Sequence, residues 1–273
     1  MDTDRRVAVL GSGKMGEILA AGMVRSGVCA AGQITVTDAD PDRLQHVAGR
    51  HGFLAARSNP EAVETAAVVV LAVKPNHVAG LLAEIAPALG EDALVLSIAA
   101  GITTGALERG LNDGTPVVRA MPNAASSVGE GMTAICAGAA ATEAHLALAR
   151  QLLEGVGPVL TVGEAYIDAV TAVSGSGPAY FALFAEAMVD AGVTVGLPRE
   201  ISAQLVAQTM KGTAALIVQG MAPAEVRAAV TSPGGTTAMA IRELERSGVR
   251  AGILNAVQAA FDRARGLAGA EGK

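Results

Sequence analysis

Apolar and polar positions follow two regimes along this chain, and the change between them falls near Gly163. Before it, short apolar runs alternate with stretches of helical spacing. Residues 6–10 read as a strand, and Met15, Ile18, Leu19, Gly22 and Met23 then recur on one helical face. Residues 33–37 read as a second strand, and Pro41 opens a helix carrying Leu44 and Val47. Residues 67–73 form an apolar run that stops at Lys74-Pro75, as a fully buried strand does. A helix over 76–89 follows, then strands at 94–98 and 117–120. Strands alternating with helices predict a mostly parallel, doubly wound sheet covered on both faces.

Beyond Gly163 no alternating strand is apparent. Helices are expected at 178–190, 198–219, 236–247 and 249–267, with Pro178 and Pro198 near the starts of two of them, where a missing N–H costs nothing. The tail after Gly266 is expected to fray. The helix after Pro178 is apolar on nearly every side, through Phe181, Leu183, Phe184, Met188 and Val189. Such a helix needs burial all round, which a second copy of the chain would supply. The fold class expected is α/β: a Rossmann-type dinucleotide-binding domain over 1–163, then an all-helical dimerisation and substrate-binding domain over 164–273.

Chemistry enters at the loops. Gly11-Ser12-Gly13-Lys14-Met15-Gly16 lies between the first strand and the first helix, the arrangement that seats a dinucleotide pyrophosphate on a helix N-terminus. Asp38 ends the second strand, where an acid accepts hydrogen bonds from the adenosine ribose. With Asp40 beside it, two carboxylates would repel a 2′-phosphate, which favours NADH over NADPH; Arg43 is the nearby cation able to reverse that. Lys74-Pro75, Ser97-Ile98-Ala99-Ala100-Gly101 and Arg119-Ala120-Met121-Pro122-Asn123 leave strand ends at the sheet edge where ligands bind in this architecture. Far along the chain, Ser232-Pro233-Gly234-Gly235-Thr236-Thr237 joins a rigid turn, two glycines and two hydroxyls at a helix start. That combination suits a small carboxylate. Two anion cradles suggest an enzyme that holds a nucleotide in one domain and a small acid in the other.

Composition narrows the alternatives. The net charge of −6 argues against a nucleic-acid surface. The longest apolar run, residues 66–73, is too short to span a bilayer, and the N-terminus enters a strand at once, leaving no room for a signal peptide. The two cysteines, Cys29 and Cys136, lack metal-ligand spacing, so no metal is expected and the cytoplasm is the expected compartment. His46, His51, His77 and His145 form no triad and read as solvated surface histidines away from the glycine motifs.

Taken in order, the glycine loop, Val73-Lys74-Pro75, Met121-Pro122-Asn123, Ser174-Gly175-Ser176-Gly177-Pro178-Ala179-Tyr180 and the 232–237 turn resemble the pyrroline-5-carboxylate reductase family over nearly the whole chain. The resemblance implies NAD(P)H-dependent reduction of the C=N bond of 1-pyrroline-5-carboxylate to L-proline, the last step of proline synthesis. It also implies a homodimer, or a larger assembly of dimers, whose active site lies where the two domains meet at the dimer interface. By position, Ser232, Gly234, Gly235 and Thr237, with Thr236 between them, would hold the substrate. Thr237 would be catalytic, its hydroxyl bonding the ring nitrogen. Asn59 and Ala72-Val73-Lys74-Pro75 would line the cofactor site, and Ala99-Ala100-Gly101 with Met121-Pro122-Asn123 would border the nicotinamide. Two departures stand out: Ala228, where members often carry Asp, and the acidic pair Asp38 and Asp40, where many carry small polar residues.

Two other readings share the nucleotide fold. A β-hydroxyacid dehydrogenase would need a lysine base, for which Lys211 is the one available after Gly163 short of the tail. A nucleotide-binding protein without chemistry is the other. The sequence leaves the preferred ring size of the imine open.

Overall fold

The computed structural model describes residues 6–270. Eight strands form one sheet: β1 Val7–Leu10, β2 Ile34–Thr37, β3 Leu54–Ala55, β4 Val68–Leu71, β5 Leu94–Ser97, β6 Val117–Met121, β7 Thr133–Ala137 and β8 Val159–Thr161. Their order is β3-β2-β1-β4-β5-β6-β7-β8. All neighbouring pairs run parallel except β6 and β7.

The pleat sorts each strand between two cores. Val7, Val9, Val68 and Val70 face one apolar cluster, while Ala8, Leu10, Val69 and Leu71 face the other. Period-two alternation of apolar residues, with both faces buried, is why these strands read as unbroken apolar runs. The first face is covered by α1 Lys14–Arg25, α2 Pro41–His51 and α6 Glu143–Leu153. The second is covered by α3 Asn59–Val63, α4 Pro75–Ile85 and α5 Thr104–Arg109.

Strands β3, β7 and β8 were not anticipated. Two residues of β3 and three of β8 are too short to show a period, and β7 reads Thr-Ala-Ile-Cys-Ala, with little bulk to mark it. The helix expected over 76–89 ends earlier: Pro87 sits in a 3₁₀ turn, Ala86–Ala88, because it has no N–H to continue the α-helical ladder.

The chain divides into two compact units. One contains the sheet through Gly175 and the last turns of α12 from Ala260; the other is Ser176–Ala259. Within the first unit, α7 Ile167–Val170 passes directly into a π-helical segment, Thr171–Gly175. The second unit contains α8 Gly177–Thr194, α9 Arg199–Val218, α10 Pro223–Ala229, α11 Thr236–Arg246 and the start of α12 Val249–Ala270. Helix α12 thus continues through the expected fraying point, and 271–273 lie outside the described residues.

Helices α8 and α9 pack on each other closely at Gly192. A Cβ there would stand 2.1 Å from Ser202 Oγ, which donates instead to the Val189 carbonyl at 3.0 Å. Their other faces stay uncovered within the single chain: Phe181 and Leu183 are each 67% exposed. No helix among the described residues is long and apolar enough to cross a membrane.

Candidate active site

The glycine loop is shaped by contacts that only glycine permits. Gly11 takes φ +96°, and a Cβ there would lie 2.8 Å from the Ala72 carbonyl oxygen at the end of β4. A Cβ on buried Gly16 would come within 2.1 Å of the Gly11 carbonyl oxygen, so this residue lets α1 approach the loop. Gly13 is the N-cap of α1, and nothing lies within 4 Å of where its Cβ would be. No side chain caps this helix. Its first N–H groups therefore remain available to an anion.

Asp38 pins the loop in place. Its Oδ2 accepts from Ser12 N and Ser12 Oγ, both at 2.9 Å, and its Oδ1 accepts from Asp40 N at 3.0 Å. Three bonds leave some of the roughly four acceptor positions of a carboxylate unused. Asp40 caps α2 by accepting from Asp42 N and Arg43 N. Arg43 Nε donates to the Ser12 carbonyl at 2.7 Å, and its Nη2 lies 3.8 Å from Glu17.

A cleft of about 1030 Å³ opens beside this loop. It exceeds the usual size of a small-molecule pocket and suits an extended ligand. Gly11, Gly13, Lys14 and Asp38 contribute to its wall, as do Asn59, Ala72, Val73 and Lys74. The Asn59 amide is held by Thr37 Oγ1, which donates to its Oδ1 at 2.6 Å, and by donation to Glu84 at 2.9 Å. Of the other loop residues, Ser12 and Gly16 are buried and Met15 packs against the core, so they shape the loop rather than line the cleft. Pro75 is the first residue of α4, which like α1 begins without a side-chain cap.

Ala99-Ala100-Gly101 and Met121-Pro122-Asn123 leave β5 and β6 farther along the same edge, outside the lining of that cleft. The β5 exit is held by Ser97 Oγ, which accepts from Ala99 N at 3.3 Å, and by Gly101 at φ +81°. At the β6 exit, Asn123 Oδ1 accepts from Ala125 N and Met132 N, and its Nδ2 donates to Ser174 O and Oγ at 3.3 Å. Ser174 belongs to the π-helical segment. Such insertions recur at functional sites.

The histidines correct the sequence reading in two places. His51 is half-buried: its Nε2 lies 2.9 Å from Glu17, and its ring stacks on Phe53. The hydrogen bond to His51 is the main reason the Glu17 carboxyl is held below its ordinary range, with Arg50 and Arg43 adding to it against partial burial. His77 lines the cleft and so is not remote from the glycine loop. Its place three residues after Lys74, in the first turn of α4, was the signal available in the sequence.

In the second unit, the 232–237 turn has a defined geometry. Gly235 N donates to the Ser232 carbonyl at 3.0 Å across Pro233 and Gly234, with Gly234 at φ +70°. This is a type II turn, with Pro and Gly at the positions it favours. Gly235 is then the N-cap of α11, again without a side-chain cap. Thr236 and Thr237 form its first turn, Thr237 half-buried and Thr236 exposed. The amide groups that begin α11 are thus left for an anion, as those of α1 are.

The two helix starts fall within stretches of the chain that match known families. Residues 164–267 match the family model described as pyrroline-5-carboxylate reductase dimerisation, and residues 6–101 match that of coenzyme F420-dependent NADP oxidoreductase. The pyrroline-5-carboxylate reductase of Mycobacterium tuberculosis is 44% identical, with 96% of each chain covered. The chain belongs to the pyrroline-5-carboxylate reductase family. The structure of a pyrroline-5-carboxylate reductase from Coxiella burnetii agrees with it at a TM-score of 0.91 and 35% identity, covering 97% of this chain and 98% of that one. That of the Plasmodium falciparum pyrroline carboxylate reductase, solved with NADP bound, agrees at 0.88 and 29% identity, covering 97% and 99%. This pyrroline-5-carboxylate reductase family member therefore combines an NAD(P)-binding oxidoreductase domain with the family's dimerisation region.

Proposed function

We propose that the chain reduces the C=N bond of 1-pyrroline-5-carboxylate to give L-proline, with NAD(P)H as reductant. The observation that carries this reading is the pair of uncapped helix starts, α1 beside the long cleft and α11 behind the Pro233-Gly234 turn, in a chain of this family. The amides that open α1, with Gly11 and Gly13, hold the pyrophosphate. Asp38 accepts from the ribose, Asn59 and residues 72–75 line the dinucleotide, and residues 99–101 and 121–123 border the nicotinamide. The turn in the second unit, with Ser232, Gly234, Gly235 and Thr236, holds the substrate carboxylate. Thr237 hydroxyl orients the ring nitrogen.

A bound reduced nicotinamide supplies the hydrogen and both electrons for the imine carbon. The imine nitrogen arrives protonated, so the protein needs no strong acid, and its residues contribute orientation and charge complementarity. This agrees with a site in which amides and hydroxyls outnumber paired carboxylates. The β-hydroxyacid reading finds no such support: Lys211 is exposed in the middle of α9.

NADH is favoured over NADPH. Asp38 is fixed on the cleft wall, while Arg43, the cation able to meet a 2′-phosphate, is already bonded to the Ser12 carbonyl and drawn toward Glu17. A second copy of the chain covers the apolar faces of α8 and α9, and dimers are the unit of any larger assembly. The functional division falls after Gly163, just before the family's dimerisation region. Neither cysteine is in a disulfide, which supports the cytoplasm as compartment.

The test is oxidation of reduced cofactor with 1-pyrroline-5-carboxylate, its six-membered homologue and a panel of keto acids. The imine should be the substrate reduced. Thr237→Val should lower kcat about tenfold to a hundredfold, the value of one hydrogen bond to a charged group, with cofactor affinity unchanged. Turnover of keto acids but not imines would overturn the assignment.

A further inference from the structure

Glu164 lies outside the groups assigned above, yet its carboxylate joins three elements of the first unit. It sits in a 3₁₀ turn, Glu164–Tyr166, immediately before α7. Its Oε1 accepts from Thr104 N at 2.6 Å and from Arg119 Nη1 at 3.2 Å, and its Oε2 accepts from Thr104 Oγ1 at 2.6 Å. Thr104 is the first residue of α5, three positions after Gly101. Arg119 is in β6, two positions before Met121, and its side chain is only 4% exposed.

One carboxylate thereby ties the exit of β5 to the exit of β6, the two segments assigned to the nicotinamide. Register places Arg119 beside Ser97 of β5 and Cys136 of β7, so the guanidinium lies on the sheet face with the hydroxyl that holds Ala99 N. The same stretch of chain is anchored again at its far end, where Ser174 accepts from Asn123. Between these anchors Ile167 packs into a small apolar cluster with Ala134 and Cys136.

The carboxyl is held ionised. Burial raises its proton affinity, but the Thr104 hydrogen bonds and then the Arg119 charge more than offset this, leaving it below its ordinary range. Charge-assisted bonds of this kind are short and directional. They fix Thr104 N–H, a donor that a helix start otherwise leaves unpaired.

The geometry points to Glu164 as a positioning residue for the reaction. It sets the spacing of the β5 and β6 exits, so that the nicotinamide half of the cofactor is held in place, and it contributes nothing to the adenosine half. The inference rests on the assignment of residues 99–101 and 121–123 to the nicotinamide.

The test compares Glu164→Ala with Glu164→Gln, which keeps the shape and one acceptor oxygen. Binding of ADP-ribose and of NADH is measured by titration, amide exchange is followed at Thr104, and kcat and KM for the imine are determined. Glu164→Ala should weaken NADH binding about tenfold while ADP-ribose binding stays within twofold of wild type. Thr104 amide exchange should accelerate at least tenfold, and kcat should fall more than the imine KM rises. Glu164→Gln should recover much of each loss, and it carries the test if Glu164→Ala does not fold. A variant that melts earlier but binds NADH and exchanges Thr104 like wild type would overturn the proposal. So would equal loss of ADP-ribose and NADH binding. The binding and exchange measurements need no imine, so a wrong substrate assignment would appear separately, as wild-type protein that binds NADH but leaves the imine unreduced.

Discussion

Asp38 holds the loop with a carboxylate that also lines the cleft. Two of its bonds hold Ser12 and a third holds Asp40 N, and what remains faces the cleft. Asp38→Ser should therefore have two separable effects. Removing the negative charge should raise the NADPH-to-NADH ratio of kcat/KM by about tenfold, roughly 1.4 kcal/mol. Losing the acceptor of Ser12 should lower stability by about 1–3 kcal/mol, read from urea unfolding. Wild type that already prefers NADPH strongly would show that Arg43 leaves Ser12 to meet the phosphate. Cys136 makes a different residue-scale case. Burial, reinforced by the charge of Glu164 and opposed by Arg119, raises its thiol to about 11. At pH 8 roughly one thiol in a thousand would be ionised, and the thiolate is the reactive form. Native protein should leave this cysteine unmodified by a disulfide reagent at pH 8, and urea-unfolded protein should react at both cysteines. Rapid modification of Cys136 in the folded protein would contradict its burial.

Two glycines six residues or fewer into the first loop-and-helix unit test how that unit is built. Gly16→Ala drives a Cβ toward a backbone oxygen at 2.1 Å, which α1 can relieve only by moving. It should lose about 1–3 kcal/mol of stability or more, with cofactor affinity falling alongside. Gly13→Ala meets nothing within 4 Å in the protein and lies on the cleft wall, so it should weaken cofactor binding while losing no more than about 1 kcal/mol of stability, the cost of alanine at an N-cap. Equal stability of the two variants would refute this account of the loop. The same unit shows what the sequence made legible. A strand, a glycine loop and an amphipathic helix are coded locally, so β1, α1 and strands β2, β4, β5 and β6 could be read directly, as could α9, α11 and α12, but not the seven-residue α10. The turn at 232–237 was legible because Pro and Gly fix a type II turn by themselves. The two-residue β3 and three-residue β8 had no period to detect, and β7 follows no α-helix, only a 3₁₀ segment at Ala124–Val128. Long-range pairs were hidden for another reason. Glu164 meets Thr104 across sixty residues, and His51 meets Glu17 across thirty-four, with no local pattern to announce either.

Taken whole, the chain leaves Phe181, Leu183, Ile201, Leu205, Ile253 and Leu254 at least 49% exposed. Apolar surface on that scale marks an interface, and the stretch falls inside the family's dimerisation region. Light scattering on dilute protein should report a dimer with no active monomer, and a stable, active monomer would remove the reason for these side chains. The sheet order has a consequence of another kind. β1 is internal: β2 and β3 extend from one side of it, and β4 through β8 extend in sequence from the other. Each strand after the first therefore has one neighbour that precedes it in the chain. Since synthesis delivers the chain from its N-terminal end at roughly 5–20 residues per second, pairing partners become available outward from β1 at the pace of translation. As the nascent chain leaves the ribosome, every strand after the first finds one neighbour already synthesised.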